Sequence, residues 1–485
     1  MAKKIKNVPK KSDLEIAKQQ VTIMGTSNKY KYNLWKEKAK ERGEKLRRMT
    51  QAKKRQEAKA ERWKSKYDAL KASVKLRQVK SHKYPLELIW MAVLMNIKFN
   101  ISLRGVSQSI SKMGELFGLK LGKISATTIR NWSLKMGIYY LLQPLSAGKY
   151  VIIADESVEI GREHLLLLLV VPIEKYSPIC PLIKSDVRVL DLKVQDSWKG
   201  DEISNMIQKK LDEHGIELVY GISDKGSALL KAFKNLNIQW IGDCTHEIAN
   251  QTQAIFKKDE SLSKFIKQMN LLRAKWIMSK NNFYVPPNLR AKSRFHQVFV
   301  IHKWGREILE GWHNILPTAK EELQFVKESE WLIILMESFH YLIKQFAQIF
   351  KTKGIQKNSL QEWEELVEKY QKEKGKSWTN QEERFTTKMN EYLERQKVSL
   401  PEVGQILCCS DIIESYFGKY KNKGGPKIIT EDVLKIAAFP KDIKLSDVKQ
   451  AMEEIKIADI LKWKLDNTTI SKLALLKRIR KKSAA

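Results

Sequence analysis

Three features of this 485-residue sequence predict an α/β fold in which a mixed five-stranded sheet carries helices and is interrupted by a large all-α insertion. Apolar, β-branched runs at Val151–Ala154, Leu165–Ile173 and Val187–Val194 follow one another across turn-like stretches. Two further runs, Ile216–Ile222 and Ile238–Ile241, are separated by amphipathic helical segments, which gives the order β-β-β-α-β-α-β. From about 255 to 400 the pattern is helical and charged and holds Trp276, Trp304, Trp312, Trp331, Trp363 and Trp378, enough for a core of its own.

The elements divide the chain into six regions. Residues 1–80 read as a basic helical or coiled-coil arm. Within it, Trp35, Ala39, Arg42, Leu46, Met49, Lys53, Gln56, Ala60, Trp63, Tyr67, Leu70 and Val74 recur at spacings of four and three. A solvated basic helix that orders on a partner is the alternative reading of that seam. Residues 81–147 read as a helix-turn-helix-like DNA-binding region, with Thr127, Thr128, Arg130 and Asn131 near the start of a helix opened by Ser125. Residues 148–257 hold the five strands, and residues 258–404 form the helical insertion. Residues 405–430 carry one more apolar and acidic helix, and residues 431–485 are basic C-terminal helices that include the run Lys477–Lys482.

Composition narrows the partners. The formal charge is +34, and residues 1–80 alone hold 26 Lys and Arg against 8 Asp and Glu. Such a field repels itself unless a polyanion is the usual partner, so nucleic acid comes first and an anionic membrane surface second. The longest uncharged apolar stretch, Leu165–Ile173, is far shorter than the roughly 20 residues of a membrane span. The four cysteines, Cys180, Cys244, Cys408 and Cys409, include no CxxC pair and no disulfide framework. The expectation is an intracellular protein without a membrane anchor, in the cytoplasm or nucleoid if bacterial.

Three acidic residues stand out by position. Asp155 closes the first strand run and Asp224 the fourth, and a three-strand meander followed by a crossover helix makes those strands neighbours. Glu414 lies on a helix whose Ile412, Ile413, Tyr416, Phe417 and Tyr420 form an apolar face able to dock on the sheet. Three converging carboxylates suit Mg²⁺ or Mn²⁺, and two such ions activate a water or a 3′-hydroxyl on one side of a phosphodiester and stabilise the leaving oxygen on the other. Each residue has a structural alternative: Asp155 opening a turn, Asp224 capping the helix near Gly226, and Asp411 with Glu414 forming a capping box.

Ile-Ala-Asp155-Glu-Ser, Ser-Asp224-Lys-Gly-Ser-Ala-Leu-Leu-Lys-Ala and Asp411-Ile-Ile-Glu414-Ser-Tyr-Phe-Gly-Lys-Tyr-Lys421, with the strand order, resemble the DDE transposases. The likeness covers roughly 150–255 and 405–425, and the gap between Asp224 and Glu414 is similar to the helical insertion of hAT-like members. Asp243-Cys244-Thr245-His246 resembles the Cys-or-Asp-x-x-His motif of those families. The resemblance implies a ribonuclease-H-like fold, catalysis by Asp155, Asp224 and Glu414 with two Mg²⁺ or Mn²⁺ ions, and active-site support or DNA contact by Asp243 and His246. Lys421 resembles the Lys that follows Glu by seven residues in some insertion-sequence transposases, but the Tyr and Arg that precede Glu there are Leu407 and Ser410 here. The implied activity is cleavage and strand transfer of double-stranded DNA, at terminal inverted repeats and target DNA, by a homodimer or larger assembly. A nuclease or resolvase without strand transfer, or a non-catalytic nucleic-acid-binding protein, are the alternatives. A zinc site from Cys244 and His246 lacks the four ligands a structural zinc needs.

Overall fold

The computed structural model describes residues 29–73, 77–116, 118, 123–158, 163–175, 182–289, 294–397, 404–421 and 429–467. The seam residue Val74, Cys180 and the basic run Lys477–Lys482 lie outside them. The chain forms two compact units, Met1–Arg77 and Gln78–Ala485. Among the described residues no helix is long and apolar enough to cross a membrane.

The first unit contains α1, Lys29–Ser73, a single 45-residue helix, about 67 Å long at 1.5 Å per residue. Its seam is open to solvent: Trp35 and Met49 are each 39% exposed and Trp63 is 63% exposed. Lys38 and Lys66 cover the Trp35 and Trp63 rings at 5.8 and 5.3 Å.

The second unit begins with α2 (Leu86–Ile97), α3 (Leu103–Leu116) and α4 (Ala126–Leu142). The sheet follows, as β1 (Gly148–Val158), β2 (His164–Pro172), β3 (Arg188–Gln195), α5 (Gly200–His214), β4 (Ile216–Ser223), α6 (Ser227–Asn235) and β5 (Gln239–Gly242). Its spatial order is β3-β2-β1-β4-β5. β1, β2 and β3 form an antiparallel meander, and β4 and β5 add in parallel on the other side of β1, so the sheet is mixed and open. This layout is compatible with a ribonuclease-H-like arrangement.

Both faces of the sheet are covered, which is why β2 is apolar at nearly every position instead of alternating. One face, with Ile152, Ala154, Leu166 and Leu168, meets α5 and α6 through Ile203, Ile207, Leu229 and Phe233. Gly221 permits that contact, because a Cβ there would lie 2.7 Å from the Phe233 ring.

The opposite face, with Val151, Ile153, Leu165 and Leu167, is covered by helices from both ends of the sequence. α4 packs against a 3-10 helix, Glu431–Ala438, so closely that a Cβ on Gly137 would come within 2.3 Å of the Leu434 carbonyl oxygen. Arg130 pairs with Glu431 at 2.8 Å and with Asp432 at 3.1 Å, while the Tyr140 hydroxyl donates to Asp447 at 2.7 Å. Residues expected to form separate N- and C-terminal regions thus share one layer.

α7 (Cys244–Phe256) leads into the insertion, which comprises α8 (Glu260–Trp276), α9 (Arg294–Glu310), α10 (Pro317–Glu328), α11 (Glu330–Lys353), α12 (Ser359–Lys374) and α13 (Asn380–Lys397). Trp276, Trp304 and Trp363 are buried in it. Its core is not separate, as expected, but continuous with that of the sheet's helical face. A two-residue ribbon, β6 (Ile355–Gln356) with β7 (Gln405–Ile406), returns the chain to the sheet. The Cys244 amide then donates to the Cys408 carbonyl at 2.8 Å, and the Leu407 amide to the Tyr220 hydroxyl at 2.8 Å. These bonds fix the start of α14, Asp411–Lys421. The chain continues through α15 (Leu445–Glu454) and α16 (Ile457–Leu465).

Candidate active site

β1 and β4 run in parallel register as far as Ile153 and Ile222. Beyond that pair β1 continues to Val158 against β2 alone, while β4 stops at Ser223. Asp155 and Asp224 each stand two residues past the last β1–β4 pair, side by side where the strands part. The two-residue period puts Asp155 on the face of Val151 and Ile153. α14 packs against β1, anchored by buried Ile413, Tyr416 and Phe417, while Glu414 stays exposed.

Asp155 feels the other two carboxylates. Asp155 is only 7% exposed, and its carboxyl is pushed up to about 7 by burial first, then by the charges of Glu414 and Asp224. Glu414 therefore reaches the strand pair across 190 residues of sequence after Asp224. Glu156, on the other face of β1, is also raised by burial, with Asp224 adding to it and the nearby His164 opposing. The sequence reading did not single out Glu156, although it adjoins Asp155.

The structural alternatives fare differently. Asp155 lies inside β1 rather than at its end, and among the described residues its Oδ1 accepts only the adjacent Glu156 amide, at 2.8 Å, so it does not open a turn. Asp224 does have a local role: its Oδ1 accepts the Gly226 amide at 2.9 Å, the turn that starts α6. For Glu414 the capping box fails, because the helix starts at Asp411, placing Glu414 at the fourth position. The Asp411 carboxylate instead accepts from Thr245 Oγ1 at 2.9 Å and pairs with Lys351 at 2.5 Å.

Asp243 and His246 form a second cluster beside the first. Asp243 caps α7 by accepting the Thr245 amide at 2.8 Å; its other oxygen meets His246 Nδ1 at 2.8 Å and the Ser410 hydroxyl. That hydrogen bond raises the His246 ring to about 9 against the effect of burial, with the charges of Asp243, Asp155 and Asp224 adding to it. Sequence reading gave Lys351, Cys409 and Ser410 no place beside Asp243, because Lys351 lies within the insertion and the other two follow it.

Among the described residues, the potential ligand atoms of Asp243, Cys244 and Cys409 lie within 4.8 Å of one another, whereas those of Asp155, Asp224 and Glu414 are not all that close. The first group is a poor metal site, since Asp243 already accepts three hydrogen bonds. The second group offers only carboxylate oxygens, the donor type a hard divalent cation takes. No family model matches the chain, and no curated protein is significantly similar to it.

The remaining site residues are placed elsewhere. Ser125 caps α4 by accepting the Thr128 amide at 3.0 Å, as its position predicts. The helix is nevertheless a core element, buried at every residue from Trp132 to Tyr140. A recognition helix needs a free face, and only the first turn supplies one: Thr127 is exposed, Thr128 and Asn131 are half-buried, and the Arg130 charge is matched by Glu431 and Asp432. Lys421 lies at the end of α14, its ammonium 5.6 Å from the Phe417 ring.

Proposed function

We propose that this chain is a DDE-type transposase with a ribonuclease-H-like core, which cleaves DNA and transfers the cut strand in a metal-dependent reaction. The observation that carries the reading is placement: Asp155 and Asp224 stand side by side past the last β1–β4 pair, and α14, which carries Glu414, packs against β1 although it lies about 190 residues further on in sequence. Structural acids are ordinarily paired with cations or amides, and a buried acid facing two others is the arrangement that a divalent ion would neutralise.

Asp155, Asp224 and Glu414 would hold Mg²⁺ or Mn²⁺, which supply charge neutralisation at the phosphodiester and an activated water or 3′-hydroxyl. The chain's own residues position these donors. The β1–β4 register sets Asp155 beside Asp224, the apolar face of α14 fixes Glu414, and Asp243 holds His246 as a cation next to the cluster. The basic arm supplies sequence-independent attraction to DNA. Two DNA ends must be held together for strand transfer, which implies a dimer or larger assembly.

Asp155→Asn tests the reading. Binding to duplex DNA is expected to persist while Mg²⁺-dependent cleavage disappears; retained cleavage removes Asp155 from the mechanism. Supplying a 3′-hydroxyl DNA end and assaying joined product separates a transposase from a nuclease or resolvase, which would yield cut product alone.

A further inference from the structure

Two lysines from separate elements, Lys98 and Lys419, meet at Phe439, just after the 3-10 helix, and the charge of a third, Lys184, acts on both. Lys98, directly after α2, donates from Nζ to the Phe439 carbonyl at 3.1 Å. Lys419, on α14, places its Nζ 4.5 Å from the centre of the Phe439 ring. Tyr416 packs on the same ring with centroids 6.1 Å apart, and its hydroxyl donates at 3.5 Å to the carbonyl of Lys184, in the turn before β3. Lys98 and Lys419 are half-buried, and Lys184 is exposed at the rim.

Like charges gathered at a partly buried point are unfavourable unless an anion joins them. Burial, then Lys98 and Lys184, bring the Lys419 ammonium down to about 8. Lys98 is likewise lowered, by burial first and by Lys184, with Asp442 as the opposing acid. The cation–π contact and the carbonyl bond hold the lysines in place despite their repulsion.

We propose that Lys98, Lys184 and Lys419 form a binding site for a phosphate group, supplied by the backbone of a nucleic acid. Lysine serves such a site as a point charge without reading sequence. The site is tied to the carboxylates by one rigid element, since Glu414 and Lys419 stand five residues apart on α14, about 7.5 Å along the axis. A phosphate held there would set the register of a strand passing the carboxylates. The phosphate chemistry stands on the lysines alone, whereas the nucleic-acid source rests on the DNA reading above.

The test uses the full chain without divalent metal, so that cleavage plays no part. Duplex DNA affinity is measured over a salt series for the wild type, for Lys98→Gln/Lys419→Gln, and for Lys388→Gln, which removes an exposed lysine on α13 paired with Glu391. The double variant is expected to bind all sequences more weakly and to lose about 1 to 2 from its log–log salt slope, with the control unchanged. Its melting temperature reports folding and is expected to hold or rise, because repelling charges are removed.

Amine labelling of the wild type at pH 8, read by mass spectrometry, gives the second arm. DNA is expected to protect Lys419 at phosphate concentrations where inorganic phosphate does not. Protection by inorganic phosphate with an unchanged salt slope in the variant overturns the backbone assignment, and protection by neither overturns the site. Should the wild type fail to bind DNA while inorganic phosphate protects Lys419, the DNA reading of the whole chain falls and the phosphate site stands.

Discussion

Asp155, inside β1, and Asp243, directly after β5 of the same sheet, are almost equally buried, at 7% and 2% exposed, yet their surroundings are opposite. Asp243 receives a backbone amide, a hydroxyl and a histidine ring. Asp155 receives one amide and otherwise faces the charges of Glu414 and Asp224. Burial alone therefore does not set an acid's surroundings; the partners do. His246 joins the two clusters, bonded to Asp243 and drawn upward by Asp155 and Asp224 as well.

The strongest way to break this contrast is to remove each acid in turn. Asp243→Ala deletes a helix cap and two further hydrogen bonds inside the fold, and is expected to cost about 2–4 kcal/mol in urea denaturation at pH 7. Asp155→Asn, measured identically without metal, is expected to stabilise by roughly 1–3 kcal/mol, because a repelled buried charge is gone. Equal losses from both substitutions would mean that Asp155 is as structural as Asp243.

A smaller effect is expected at the link. His246→Gln removes the charged member of the His246–Asp243 bond, and because the ring is one-third exposed the loss at pH 7 is about 1 kcal/mol. The folded ring is raised to about 9 from an ordinary 6.5. Its contribution is fully present below pH 6.5 and fades as pH rises through 9, so wild type and variant should converge in stability above pH 9. A difference that persists to pH 10 would assign His246 a packing role rather than an electrostatic one.

The sheet was legible in the sequence because its strands are apolar runs broken by turns, and because short connections restrict strand order. Strand ends were less so: Asp155 looked terminal since the apolar run stops at Ala154, but the hairpin with β2 carries β1 on to Val158. The helix-turn-helix reading of α4 misjudged exposure, because the polar first turn at Thr127–Asn131 hides the fact that the C-terminal segment buries the rest of the helix. Nothing local announces that Glu431 and Asp432 will meet Arg130 some 300 residues away. The Asp243–Ser410 bond is hidden for the same reason, since its partners come together only after the insertion has folded. The buried face of α14, Ile413, Tyr416, Phe417 and Tyr420, was legible because it is a local pattern.

The finest test of the contrast couples metal to pH. Mg²⁺ or Mn²⁺ bound at Asp155, Asp224 and Glu414 requires Asp155 to be ionised, and in the metal-free protein its carboxyl is raised to about 7. Because the folded form holds this proton more tightly than the unfolded one, metal-free stability declines as pH rises from about 4 to 7 and changes little from this group above that. At pH 8 the metal meets a carboxylate, whereas at pH 6 it must first displace a proton from roughly nine molecules in ten. The stabilisation conferred by a fixed metal concentration, about ten times the dissociation constant at pH 8, should consequently be about 1 kcal/mol smaller at pH 6 than at pH 8, read from melting curves. His246 stays protonated across that window, so it does not contribute to the difference. In Asp155→Asn the pH dependence should vanish together with most of the metal effect, while in Asp243→Asn the same dependence should remain on a less stable protein. A metal-induced shift that follows Asp243 instead would move the ion from the carboxylates to the neighbouring cysteine cluster.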